Sequence, residues 1–177
     1  MYPYLRLAAE VRRHRNAPPL GWGEWHESHV TVRVTDIDPW GEMNNGRVLT
    51  LFDQGRAVLL MRMGFLQVAR RNGWYGTIAG ASVRYRKRMT RGAKLTMRSR
   101  FIGHDARFSY SEQSLWRPDG ECTVHALMRI AVVSKAGIVV PEEALKQLDL
   151  PPAPPLPGWV EAWIAAEAQR PWPPEGG

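Results

Sequence analysis

Between Asp36 and Gly46 the chain reads Asp-Ile-Asp-Pro-Trp-Gly-Glu-Met-Asn-Asn-Gly, with two carboxylates close together ahead of paired asparagines and a glycine. The next residues, Arg47 to Phe65, carry Val48, Leu51, Phe52, Gly55, Leu59 and Met63 at helical spacing. A loop carboxylate would therefore face the start of a helix. The open N–H groups and positive dipole end of a helix can hold the oxyanion that develops on a carbonyl, while a carboxylate attacks that carbonyl or takes a proton from water. Asn44 or Asn45 would cap the helix. Asp, Asn, Gly and Pro also make up ordinary surface turns, so the spacing by itself leaves both readings open.

The flanking segments are what must hold this loop. His26 to Thr35 alternates, with Val30, Val32 and Val34 on one face and His29, Thr31 and Arg33 on the other, which predicts a half-buried strand. The helix over Arg47–Phe65 has further apolar residues, Leu49, Val58, Leu60 and Met61, around its cylinder and must be buried on most sides. After a polar break at Arg70–Gly73 come four β-like segments, Tyr75–Met89, Lys94–His104, Phe108–Trp116 and Cys122–Ser134, separated by turn-forming residues that include Asp119-Gly120. An antiparallel sheet wrapped around one central α-helix satisfies this order, and the class is α+β. Pro141–Leu148 and Trp159–Gln169 predict short helices on either side of an extended, proline-rich Pro151–Pro157. Trp159 and Trp163 share a helical face that would pack on the domain.

With 177 residues and 44% hydrophobic content, one domain is expected. Cys122 is the only cysteine, so no intrachain disulfide can form and a reducing, cytoplasmic setting is expected. Met1–Asn16 is too broken by charge for a signal peptide and too short to span a bilayer, and reads as a surface helix. The net charge of +7 and pI near 10.1 favour an anionic partner. The densest basic run is Arg84, Arg86, Lys87, Arg88, Arg91 and Lys94. Only Tyr85 interleaves it, which argues against nucleic acid. His26 and His29 lack a third spaced ligand, so no metal site is expected, and His104 and His125 receive no catalytic role.

The Asp36–Gly46 stretch resembles the signature of the 4-hydroxybenzoyl-CoA thioesterase-like family, a D-x-D-x-x-G-H-M-N-N type loop before a helix containing F-E-x-A-R, matched here by Leu51-Phe52-Asp53-Gln54-Gly55-Arg56. Ser82–Arg88 and Gly92–Arg100 resemble the family's strand pair, so the similarity runs from about His26 to Ser134. The resemblance implies a hot-dog fold, with an N-terminal segment at 1–25, the thioesterase domain at 26–134 and a helical, proline-rich extension at 135–177. It implies hydrolysis of an acyl-CoA or acyl-carrier-protein thioester without a cofactor, coenzyme A being part of the substrate. Asp38 would be the catalytic carboxylate, and the Asn45 or Gly46 N–H would face the thioester oxygen. Asn44 would adjoin the substrate, and Arg86, Lys87 and Arg88 would hold coenzyme A phosphates. Asp53 and Glu42 would support the site, Asp53 through Arg56. The family also implies a homodimer or a dimer of dimers, with each site built at the interface. Glu42 stands where many relatives have histidine, which makes a non-catalytic acyl-CoA or lipid-binding protein the alternative. A hot-dog dehydratase or hydratase ranks behind both for want of that histidine.

Overall fold

A computed structural model describes residues 2–148 and 150–174. Helix α1 (Tyr4–His14) leads to strand β1 (His26–Thr31), then α2 (Asn45–Arg62), α3 (Phe65–Asn72) and the long strands β2 (Tyr75–Tyr85), β3 (Lys94–His104), β4 (Ser109–Trp116) and β5 (Cys122–Ser134). A short β6 (Gly137–Val139), α4 (Pro141–Lys146) and α5 (Gly158–Ala168) complete the described chain. The sheet is antiparallel in the order β1-β3-β4-β5-β2, with β6 paired to the end of β5.

Alternation decides the two faces of this sheet. Leu95, Met97 and Phe101 of β3, with Val124, Ala126 and Met128 of β5, point inward onto Val48, Leu51, Phe52 and Leu59 of α2, all of them buried. The curled sheet thus wraps the central helix, as the apolar cylinder of α2 requires. The outer face carries Ile102, Tyr110 and Leu127, and α5 covers them with Val160 and Trp163. Trp163 stands edge-on to Tyr110, the packing role expected for it, whereas Trp159 on the same face is 47% exposed and tilts against His125.

At Gly55, α2 lies close against β3. A Cβ there would lie 2.7 Å from Ser99 Oγ and 2.8 Å from Met97 Cε. Alanine is the better helix former by ~1 kcal/mol, but overpacking costs ~1–3 kcal/mol. Gly55→Ala is therefore expected to lower the melting temperature by several degrees; a rise on thermal unfolding would show that β3 gives way freely.

Several boundaries differ from the sequence reading. β2 ends at Tyr85 rather than Met89, which leaves Arg86, Lys87 and Arg88 beyond the strand, and α4 ends at Lys146 rather than Leu148. β1 stops at Thr31 rather than Thr35, because Val34–Asp36 form a 3₁₀ turn in which Asp36 Oδ2 accepts the Arg33 N–H at 2.9 Å. Val32 remains buried, whereas Val34 is 64% exposed. The central helix ends at Arg62, Gly64 takes a positive φ of 78°, and α3 starts anew through the expected break, running to Asn72.

The N-terminal helix is tied to the domain by polar contacts. Tyr2 donates to Asp53 at 2.6 Å, Gln54 donates to the Pro3 carbonyl at 3.3 Å, and Arg6 pairs with Asp36 at 3.1 Å. His26, fully buried beneath α1, has its imidazole pushed down to about 4 by burial, with His14 and Arg62 adding to the shift. Among the described residues no helix is long and apolar enough to cross a membrane.

Candidate active site

The loop before α2 is fastened at both ends by backbone bonds. The Met43 N–H reaches the Met89 carbonyl at 2.8 Å, and the Asn44 N–H reaches the Asp36 carbonyl at 2.9 Å. Asp36 is 3% exposed and anchors the loop through Arg6, the Arg33 N–H and, at 3.8 Å, Arg47. Its carboxylate is consumed by structure. Asp38, two residues on, is half-buried, and its Oδ1 accepts the N–H groups of Trp40 at 2.9 Å and Glu42 at 3.4 Å. Among the described residues no hydrogen bond goes to Asp38 Oδ2. The same loop therefore holds one carboxylate as an anchor and presents the other.

Asn44, not Asn45, is the helix cap: its Oδ1 accepts the Gly46 N–H at 2.9 Å. That bond occupies one of the two N–H groups considered for the oxyanion. Asn45 is the first helical residue, and helix geometry gives its N–H no intrahelical acceptor. Glu42 points to the end of the basic run, where its Oε2 receives Arg88 Nε at 2.8 Å. Arg88 also donates to the Trp40 carbonyl at 3.0 Å, so the guanidinium clamps the loop from outside.

Glu42, Asn45, Tyr85, Arg86, Lys87 and Arg88 line one cleft of about 180 Å³. The fold thus brings the helix N-terminus together with the three cations, which are some forty positions away in sequence. Lys87 pairs with Glu121 at 2.7 Å, and Arg88 pairs with Glu42, so an anion entering the cleft would exchange with two half-buried carboxylates for two exposed cations. Such surface pairs are worth only ~0–1 kcal/mol each, so the exchange costs little. Tyr85, which the sequence offered only as an interruption of the basic run, lies beside the helix start, its hydroxyl 3.4 Å from the Asn45 carbonyl. Burial pushes its phenol up.

Asp53 lies in the third turn of α2, away from this cleft. It accepts from Tyr2 and from Arg56 at 2.9 Å, and Arg56 continues at 2.6 Å to the buried Gln113, which bonds Ser99 Oγ and the Phe52 carbonyl. This network satisfies the buried Arg56 and occupies the Asp53 carboxylate in structural bonds. Asp53 also edges a groove of about 430 Å³ between α2, α3 and β2, whose apolar walls include Leu60, Phe65, Trp74 and Ile78. No local pattern signalled this groove, because its walls come from separate elements, α2, α3, β2 and Ile130 of β5.

The sequence profile of the Thioesterase-like superfamily matches residues 32–164. The chain belongs to this superfamily. Solved structures with a similar fold include YbaW, a probable thioesterase from Escherichia coli, at 19% identity and a TM-score of 0.64, over 69% of this chain and 97% of that one. A probable thioesterase from Bartonella henselae aligns at 20% identity and a TM-score of 0.59, over 66% and 98% of the two chains. DHNA-CoA thioesterase from Staphylococcus aureus aligns at 13% identity and a TM-score of 0.61, over 81% and 91%. At these identities the likeness is one of fold, and it bears out the hot-dog architecture. Among curated proteins, none matches the sequence.

Proposed function

We propose that this superfamily member hydrolyses an acyl-CoA or acyl-carrier-protein thioester to free acid and thiol, with Asp38 as the carboxylate that attacks the thioester or activates water. The supporting observation is the half-buried Asp38, held by the loop that enters α2 and bonded to Glu42, which shares a cleft with the helix start and three cations. In this reading the Asn45 N–H receives the developing oxyanion. A phosphorylated carrier arm rests against Arg86, Lys87 and Arg88. At ~1.5 Å per residue, α2 carries the path from Asn45 to Leu60 over roughly 22 Å, so an acyl group running along the helix reaches the apolar groove.

Sustained thiol release from a panel of acyl-CoA esters, followed with a thiol reagent, tests this reading. Release proportional to protein is expected. Binding without release would favour the alternative, a non-catalytic acyl-CoA or lipid-binding protein, which the Glu42–Arg88 pair at the family's histidine position supports.

Neutralising Arg86, Lys87 and Arg88 together is expected to raise KM for acyl-CoA at least about tenfold and to change kcat less, since contacts remote from the reacting bond are made in ground and transition states alike. An unchanged KM would place the phosphates elsewhere.

We further propose a homodimer paired through β2, in a cytoplasmic setting. β2 is an 11-residue edge strand, exposed almost throughout, with Tyr75, Ile78 and Tyr85 61%, 45% and 40% exposed. A long uncovered edge of this kind invites pairing. Both the groove and the cleft border this strand or the residues just after it, so a partner there would wall both. Sedimentation at micromolar concentration is expected to give a dimer or a dimer of dimers; a monomer would contradict this.

A further inference from the structure

Away from the active-site cleft, α1 lays Glu10 and His14, one helical turn apart, over His26 of β1. One ligand atom from each of the three lies within 4.8 Å of the others. Glu10 is 7% exposed and His26 fully buried. Among the described residues, the buried Glu10 Oε1 has no hydrogen-bond partner. His14 Nδ1 comes within 3.3 Å of that oxygen, but its bond goes to the Glu10 backbone carbonyl at 3.1 Å. A ring nitrogen bonded to a carbonyl carries the proton, which leaves the lone pair on His14 Nε2. At His26, Arg62 can only donate to Nδ1, 3.2 Å away, so Nδ1 holds the lone pair and Nε2–H donates to Ser28 Oγ at 2.9 Å. Each imidazole thus has one nitrogen oriented by a hydrogen bond, as second-shell bonds orient histidine ligands, and a lone pair on the other, which at His26 becomes available only when Arg62 withdraws.

We propose that Glu10, His14 and His26 bind one divalent transition-metal ion, with Zn²⁺ the ion suited to two imidazoles and a carboxylate. Two cations compete for the site. Arg13, whose side chain is 58% exposed, pairs with Glu10 and can swing into solvent. Arg62 must withdraw its Nη1 from His26 Nδ1, and it keeps its Nε bond to the Pro18 carbonyl at 3.0 Å. Glu10 and Arg13 also line a surface cleft of about 280 Å³ beside the site. The ion would staple α1 to β1. Because α1 also holds Asp36 through Arg6, and Tyr2, two residues ahead of it, holds Asp53, the staple would steady the loop before α2 from behind without touching the substrate.

The test is titration of the full chain with Zn²⁺ by calorimetry, with Co²⁺ as the optical probe. The expected result is saturation near one ion per chain, visible ligand-field bands with Co²⁺, and a melting temperature at least about 5 °C higher at metal a hundredfold above Kd. Glu10→Gln and His14→Gln, each checked for folding by circular dichroism, should weaken binding at least about tenfold. Arg62→Gln, which removes a competing cation, should tighten it. Absence of saturable binding, or unchanged affinity in both ligand variants, would overturn the proposal.

Discussion

Asp38→Asn is expected to lower turnover at least about a hundredfold while leaving the fold and acyl-CoA binding nearly intact. Asparagine keeps the size of the side chain, and its Oδ1 can still accept from the Trp40 and Glu42 N–H groups that shape the loop. The change removes the charge and basicity of the second oxygen, on which the proposed chemistry depends. A hundredfold loss corresponds to ~2.7 kcal/mol of transition-state stabilisation, within the usual range for a general base. Parallel kinetics and equilibrium binding of one acyl-CoA ester check this. A weakened Kd with unchanged kcat would mean that Asp38 binds and does no chemistry.

Asp36→Asn should fail in the opposite manner. Asp36 is 3% exposed, with Arg6 at 3.1 Å and the Arg33 N–H at 2.9 Å on the same oxygen. Removing one partner of a buried ion pair leaves the other charge uncompensated and costs ~3–5 kcal/mol; asparagine's retained acceptor puts the loss near the low end, at ~3 kcal/mol. For a chain of this size that is roughly 6–12 °C of melting temperature. At temperatures where the variant is folded, turnover should fall far less than in Asp38→Asn. Thermal unfolding and kinetics on both variants separate the two carboxylates: a stable Asp36→Asn protein without activity would reverse their roles.

That division of labour was only partly legible in the sequence. The resemblance to the family's loop pointed to Asp38 as the catalytic carboxylate, but nothing local showed that Asp36 is the loop's anchor, because Arg6 comes from a helix thirty positions upstream. Strands β3, β4 and β5 followed from alternation and from turns such as Asp119-Gly120, where Gly120 takes a φ of 87°. β1 was read too long because Val34 continues the apolar alternation, while the Asp36 side chain takes the Arg33 N–H and bends the chain away. β6, three residues long, is too short to show a period. The burial of α2 was evident from its apolar circumference, but the Arg56–Gln113 bond beneath it joins residues 57 positions apart. The same limit hid the groove and the Glu10–His14–His26 cluster, whose members meet only after α1 folds onto β1. Local periodicity reports elements and their faces; contacts between distant elements have no local signature.

The most direct measurement of the central claim is a single-turnover reaction in which excess protein is mixed with one acyl-CoA ester, and bound ester, free acid and thiol are followed together. The parent protein is expected to convert bound ester to acid and thiol, with Asp38→Asn holding the ester intact at least about a hundredfold longer. Equal rates in the two proteins, or a parent that binds the ester and leaves it whole, would contradict it.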